Sequence, residues 1–244
     1  MSLAVSVTGA GPALVLIHGW GLHGGIWDGV LPLLTARYRV YVPDLPGHGH
    51  SRGETVTDLD ACVAALRVVL PPQATWLGWS LGGLIALRAA METDAVTRLI
   101  TVAASPRFVQ APDWPEAMQP ATLAGFAEGL TRDYAGTLQR FLSLQVAASE
   151  RESLRVLRAQ LLARGAPDLG MLGRGLAWLR ETDLRPELAR VRCPSLVIAG
   201  ARDRLVPPVA VATLAQRLGG EAVVFANAGH APFLADPARF AALV

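Results

Sequence analysis

The sequence predicts an α/β protein with a mostly parallel central sheet, helices on both faces and one all-helical insertion. Three observations predict it. Short continuous apolar runs, such as Leu14-Val15-Leu16-Ile17, have the pattern of strands buried on both faces. Helical periodicities fall between these runs, and strand–helix alternation implies parallel strands joined by helical crossovers. Between residues 107 and 185 the alternation stops and only helical periodicity continues.

Taken in order, a short strand is expected at 3–8, then a turn at Gly9-Ala10-Gly11-Pro12. The strand at 14–17 ends in His18-Gly19-Trp20-Gly21-Leu22. Residues 26–34 read as a helix and 39–43 as a strand, followed by a breaker-dense loop from Asp44 to Ser51. A helix at 57–70, capped by Thr57, is stopped by Pro71-Pro72. A strand at 74–77, a helix at 81–91 and a strand at 96–103 come next. Helices are expected in the insertion at 120–134, 137–147, 149–164 and 168–180. The sheet resumes with a strand at 195–199, a helix at 208–218, a strand at 222–225 and a last helix from Pro237. Residues 1–106 and 186–244 are assigned to the core, and 107–185 to a helical cap that forms one structural unit with it.

Composition narrows the function. Of 244 residues, 52% are hydrophobic and 17% charged, which supports a large buried core. A net charge of +2 argues against a dedicated nucleic-acid binder. Every basic residue is arginine, so a lysine nucleophile or Schiff base is excluded. Cys62 and Cys193 read as reduced thiols. No Cys/His cluster has metal-ligand spacing, and neither a metal nor a cofactor is expected. The N-terminal residues lack a secretory pattern and no apolar stretch is long enough to span a membrane, so a cytoplasmic protein is expected. A monomer is expected as well.

One stretch carries the chemistry. Gly78-Trp79-Ser80-Leu81-Gly82 lies between an apolar strand and a helix, the context that a G-x-S-x-G nucleophile elbow requires. By itself the pentapeptide is an ordinary turn as often as a site. Two further strand ends strengthen it. Asp203 follows the strand at 195–199 in a D-x-x-V-P loop, and His230 follows the strand at 222–225. In open α/β sheets ligands sit beyond the carboxyl ends of the strands. The roles follow: Ser80 as nucleophile, His230 as general base, Asp203 fixing the imidazole tautomer. The backbone N–H groups of Trp20 and Leu81 are the candidate oxyanion donors, with Gly19 and Gly21 allowing close approach. His18, His48 and His50 are assigned to packing or loop hydrogen bonds. Asp44 is a rival acid that falls outside the Ser–Asp–His order.

The stretches Leu16-Ile17-His18-Gly19-Trp20-Gly21-Leu22, Val42-Pro43-Asp44-Leu45-Pro46-Gly47-His48-Gly49, Trp76-Leu77-Gly78-Trp79-Ser80-Leu81-Gly82-Gly83-Leu84, Thr101-Val102-Ala103-Ala104-Ser105-Pro106, Arg140-Phe141-Leu142-Ser143-Leu144-Gln145 and Gly229-His230-Ala231-Pro232-Phe233 carry a resemblance. Over essentially its whole length the chain resembles the α/β-hydrolase superfamily. More narrowly it is similar to the pimeloyl-[acyl-carrier protein] methyl ester esterases of biotin synthesis. The resemblance implies hydrolysis of that methyl ester through an acyl-enzyme, with an acyl-carrier protein as partner. It implies that Trp20, Ser80, Leu81 and His230 contact the ester, and that Phe141, Leu142, Ser143, Leu144 and Gln145 line an acyl channel. Arg151, Arg155 and Arg158 share one helix face, and with Arg140 they form a candidate docking surface for the acidic carrier. The plainer reading of that face is a solvated one balanced by Glu150 and Glu152. The alternatives are a generalist short-chain carboxylesterase with the same triad, or a ligand receptor on a hydrolase scaffold.

Overall fold

The structure is a computed structural model that describes residues 2–146 and 150–244, with only the backbone of Leu162. Its sheet has strands β1 (Val5–Thr8), β2 (Ala13–Ile17), β3 (Arg39–Pro43), β4 (Ala74–Trp79), β5 (Val96–Val102), β6 (Ser195–Gly200) and β7 (Glu221–Phe225). Their spatial order is β1-β3-β2-β4-β5-β6-β7. Only β1 runs antiparallel to its neighbour among these pairs. Leu14, Val15, Leu16 and Ile17 are all fully buried. Successive side chains on a strand point to opposite faces, so both faces of the sheet are covered.

Helix α1 (Leu31–Leu34) follows β2, α2 (Leu59–Val69) follows β3 and α3 (Leu81–Glu92) follows β4. The insertion between β5 and β6 holds α4 (Pro120–Arg132), α5 (Tyr134–Leu144), α6 (Arg151–Ala163) and α7 (Leu169–Glu181). The chain closes with α8 (Pro208–Leu218), α9 (Pro232–Ala235) and α10 (Pro237–Leu243). Buried Trp27 packs on Phe233 at 4.4 Å between ring centroids, and Phe233 packs edge-on against Trp79 at 5.1 Å. This aromatic chain ties the last helices to β4, the strand that leads into Ser80.

Several predicted elements differ from the structure. The helix expected at 26–34 is a 3-10 turn at Gly24–Trp27 followed by the four-residue α1. Gly29 disfavours a continuous helix over 26–34, and Pro32 is tolerated only in a first turn. The cap of α2 is Asp58 rather than Thr57. The Asp58 carboxylate accepts the Ala61 N–H at 2.8 Å, while the Thr57 hydroxyl donates to Asp58 at 2.8 Å. An ionised cap is the stronger acceptor. Helix α5 starts three residues earlier than expected because Asp133 caps it through the Gly136 N–H. Residues 147 and 149, predicted ends of two cap helices, lie outside the described residues. The short α9 was not foreseen.

The two feet of the insertion meet. The Leu184 N–H donates to the Pro106 carbonyl at 2.9 Å. Arg107 pairs with Asp183 at 3.0 Å, and Arg185 pairs with Asp183 at 2.7 Å and with Asp113 at 3.1 Å. The Arg185 guanidinium also lies 5.3 Å from the Trp114 ring centroid. Asp183 is held down to a pKa of about 2, first by its hydrogen bond to Arg185. Cys62 and Cys193 are both free, and burial pushes the Cys62 thiol up to about 12. Among the described residues, no helix is long and apolar enough to cross a membrane.

Candidate active site

Ser80 stands at the turn between β4 and α3 with φ 55° and ψ −117°. This is a left-handed conformation that costs a non-glycine residue roughly 1–3 kcal/mol. The flanking glycines are required by space. A Cβ on Gly78 would run into the Gly82 backbone, and one on Gly82 would come within 2.6 Å of the His18 carbonyl oxygen. The turn is pinned by the Ser80 N–H donating to the Val102 carbonyl at 2.9 Å, and by the Ser80 carbonyl accepting the Gly83 N–H at 2.9 Å.

The loop after β2 closes on this turn. A Cβ on Gly19 would lie 3.4 Å from the Ser80 Cβ. Gly21 adopts φ 75°. Neither the Trp20 nor the Leu81 backbone N–H has a backbone acceptor among the described residues. The Trp20 side chain reaches the insertion: its indole N–H donates to the Leu172 carbonyl at 2.8 Å, and its ring meets Phe141 edge-on at 4.7 Å. Trp20 therefore ties the core loop to α5 and α7.

Asp203 and His230 meet as the strand order requires. His230 Nδ1 and Asp203 Oδ2 are 2.8 Å apart, and both side chains are buried. The other carboxylate oxygen of Asp203 accepts the Leu205 N–H at 2.7 Å and the Val206 N–H at 2.9 Å. Asp203 is thus the turn former that a D-x-x-V-P loop suggests, and also the partner of the histidine. The loops carrying these two residues touch so closely at Gly200 that a Cβ there would collide with the Gly229 and Ala228 carbonyls. His230 is further held by its N–H, which donates to the Gln145 carbonyl at 2.7 Å, and by its carbonyl, which accepts the Trp79 indole N–H at 2.7 Å. With Nδ1–H directed at Asp203, Nε2 carries the lone pair. That atom is buried and has no hydrogen-bond partner among the described residues. A ring so oriented is ready to take a proton.

Three of these supports were not legible in the sequence. Trp79 sits at a variable position of the elbow motif, and nothing local marks its indole as a bracket for His230. The Gln145 carbonyl reaches His230 from the insertion, and Glu150 accepts the Gly229 N–H at 3.0 Å.

The rival groups are occupied elsewhere. Asp44 is 1% exposed and accepts the Gly24 N–H at 2.7 Å, the His50 N–H at 2.8 Å and Arg164 at 3.1 Å. Burial pushes its carboxyl up, but His18, the two N–H groups and Arg164 outweigh that and hold it below the usual range. His18 is fully buried, accepts the Leu45 N–H at Nε2 and lies 2.9 Å from the Gly19 carbonyl through Nδ1. Burial, reinforced by neighbouring His48, lowers its pKa to about 3. His48 and His23 are lowered too, first by burial.

These histidines predict an acid-sensitive fold. They are neutral when folded and protonate near pH 6.5 when unfolded. Their contribution is complete above that pH and is lost as pH falls toward the folded values. His18 alone implies a loss on the order of 2 kcal/mol at pH 5. Thermal unfolding at pH 7.5 and pH 5 checks this; an unchanged Tm would contradict it.

The predicted channel residues divide. Phe141, Leu142 and Gln145 are buried, and Phe126 extends the aromatic stack at 5.4 Å from Phe141. Ser143 is exposed and bonds back to the Gln139 carbonyl. With Leu144, Arg140 and Arg158 it lines an outer cavity of about 660 Å³. Arg151, Arg155 and Arg158 are all exposed; Arg155 pairs with Glu152 at 2.6 Å, and Arg140 with Asp133 at 3.6 Å. No group of three metal-ligating side chains occurs among the described residues.

Comparison with known proteins agrees with this architecture. The pimeloyl-[acyl-carrier protein] methyl ester esterase of Stenotrophomonas maltophilia is 49% identical over 242 residues, covering 98% of this chain and 93% of that protein. Its namesake from Xanthomonas oryzae pv. oryzae is 48% identical over 234 residues, covering 94% and 92%. An esterase structure from Exiguobacterium antarcticum superposes with a TM-score of 0.88 at 23% identity, covering 99% of this chain and 93% of that one, a likeness of fold. The sequence model of the alpha/beta hydrolase family matches residues 14–243. With the elbow, the strand-end pair and these matches in hand, the chain belongs to the alpha/beta hydrolase family.

Proposed function

We propose that this chain is a serine carboxylesterase that hydrolyses the methyl ester of a pimeloyl group held on acyl-carrier protein, releasing methanol and a free carboxylate in biotin synthesis. The observation that carries the chemistry is the buried His230–Asp203 pair at 2.8 Å, whose ring leaves Nε2 without a hydrogen-bond partner among the described residues. The substrate assignment is supported by the close to half of all residues shared with esterases bearing that name.

In this reading Ser80 Oγ attacks the ester carbonyl while His230 Nε2 takes the hydroxyl proton. The N–H groups of Trp20 and Leu81 stabilise the oxyanion. Collapse expels methanol, which receives the proton from His230, and leaves an acyl-Ser80 ester for water to cleave. Asp203 holds the imidazole and stabilises its cation. Residues 107–185 act as a cap over the core formed by 1–106 and 186–244. Phe141, Leu142 and Gln145 give the acyl chain a largely apolar wall, and Ser143 and Leu144 lie at the outer rim. The exposed arginines Arg140, Arg151, Arg155 and Arg158 offer a cationic landing for the carrier, with Arg155 partly neutralised by Glu152 and Arg140 by Asp133. The enzyme works as a cytoplasmic monomer.

The test compares kcat/KM for the carrier-bound methyl ester with that for p-nitrophenyl butyrate. The carrier ester is expected to be preferred. In an Arg140→Glu/Arg158→Glu double variant, the ratio of the two values should fall at least about tenfold. Equal kcat/KM values that respond alike to the double variant would mark a generalist esterase with a solvated cap face.

A further inference from the structure

Three buried polar atoms near the site have no hydrogen-bond partner among the described residues. Gln145 is 1% exposed, yet neither its amide oxygen nor its amide nitrogen has a hydrogen-bond partner among the described residues. The same holds for His230 Nε2. The two residues adjoin, because the His230 N–H donates to the Gln145 carbonyl at 2.7 Å. A buried carboxamide without partners costs roughly 1–3 kcal/mol, and an apolar side chain of the same length would avoid that cost. Packing and the acyl wall both favour an apolar residue here, as at Phe141 and Leu142. A polar side chain kept unpaired at such a place points to a polar group that visits during turnover.

The chemistry narrows what that group is. The acyl chain is apolar, the oxyanion has backbone donors in Trp20 and Leu81, and the leaving methanol takes its proton from His230. The species still lacking a second anchor is the water that cleaves the acyl-enzyme. We propose that the Gln145 side chain positions this water: its amide oxygen accepts one water hydrogen while His230 Nε2 accepts the other. The inference rests on the serine-esterase reading above. The water oxygen forms a bond to the acyl carbon, and its proton passes to His230 Nε2. The tetrahedral oxyanion then collapses, the bond to Ser80 Oγ breaks, and His230 returns the proton to that oxygen. The products are the carboxylic acid and free Ser80. Gln145 gains and loses nothing; it is a positioning residue for deacylation.

Deacylation can be separated from acylation. For p-nitrophenyl butyrate, kcat/KM reports steps up to acylation, whereas kcat includes deacylation. Gln145→Met keeps the side-chain length and removes both polar atoms. It should lower kcat roughly 100-fold, lower KM nearly in parallel and leave kcat/KM within about threefold. A burst of p-nitrophenol should precede a slow steady state, and intact mass should show butyryl-enzyme accumulating on Ser80. The variant's Tm should equal or exceed that of the parent. Gln145→Glu, which keeps an acceptor oxygen, should recover part of kcat. Loss of kcat and kcat/KM together with no burst, or no change in either, overturns the proposal. Ser80→Ala measured beside it keeps the two readings apart. If Ser80→Ala remains active, the esterase assignment itself fails; if it is inactive while Gln145→Met shows no accumulation, only the role of Gln145 fails.

Discussion

Replacing Ser80 with alanine should reduce ester hydrolysis on the order of a million-fold in kcat, the scale at which a serine nucleophile has been lost in other hydrolases. The fold should survive. The Ser80 side chain makes no capping hydrogen bond to α3, and the turn is held by backbone groups that alanine retains. The change in stability should stay within about 0.5 kcal/mol. Ser80→Gly sharpens the result. Glycine adopts φ 55° without the steric cost borne by serine. That variant should be as inactive as the alanine one, yet more stable by about 1 kcal/mol. Kinetics on p-nitrophenyl butyrate and Tm, measured on both variants, check the pair of expectations. Equal destabilisation of both would mean that the turn is not strained.

Asp203→Asn should cost about 10,000-fold in kcat at almost no cost in stability. The reason lies in the division of labour between the two carboxylate oxygens. One accepts the Leu205 and Val206 N–H groups, a task that the asparagine carbonyl can continue. The other faces His230 Nδ1, and asparagine would present an N–H₂ group there. The imidazole would then turn its lone pair to Nδ1 and its proton to Nε2, so it could no longer take the Ser80 proton. Asp203→Ala removes both functions. It should match the asparagine variant in rate but lose a further 1–3 kcal/mol or so as two buried N–H groups go unpaired. A large Tm drop for Asp203→Asn would contradict this account.

These expectations show which parts of the molecule were legible before the structure. The strand–helix order, the elbow and the strand-end positions of Asp203 and His230 follow from local pattern, because apolar runs, glycine spacing and chain order are written in contiguous residues. The helix predicted at 26–34 is broken where Gly29 and Pro32 outweigh the apolar spacing. The cap of α2 moved by one residue because Thr57 and Asp58 are both good caps and the ionised Asp58 is the stronger acceptor. The supports of His230 were illegible for a different reason. Trp79 and Gln145 reach it across 151 and 85 positions, respectively, through a side-chain donor and a backbone acceptor. Backbone carbonyls have no residue-type signature. Asp44 posed the opposite problem: an acid beside histidines looked chemical, and its bonds to Gly24, His50 and Arg164 give it a structural task.

The meeting of the insertion's two feet has a consequence for how such a chain can diversify. Pro106 and Leu184 are joined by a hydrogen bond, and the ion pairs around Asp183 fasten the flanking residues. To the sheet, everything between them is a loop closed at its base, with further ties to the core at Trp20, Asp44 and His230. The entropic cost of closing a loop grows only logarithmically with its length, about 0.6 kcal/mol per doubling. Segments of quite different length could therefore be grafted between these feet without disturbing the pairing of β5 with β6. A graft would have to reproduce the contacts that support the site: a carbonyl for the His230 N–H, an acceptor for the Gly229 N–H, and partners for the Trp20 indole and the Asp44 carboxylate.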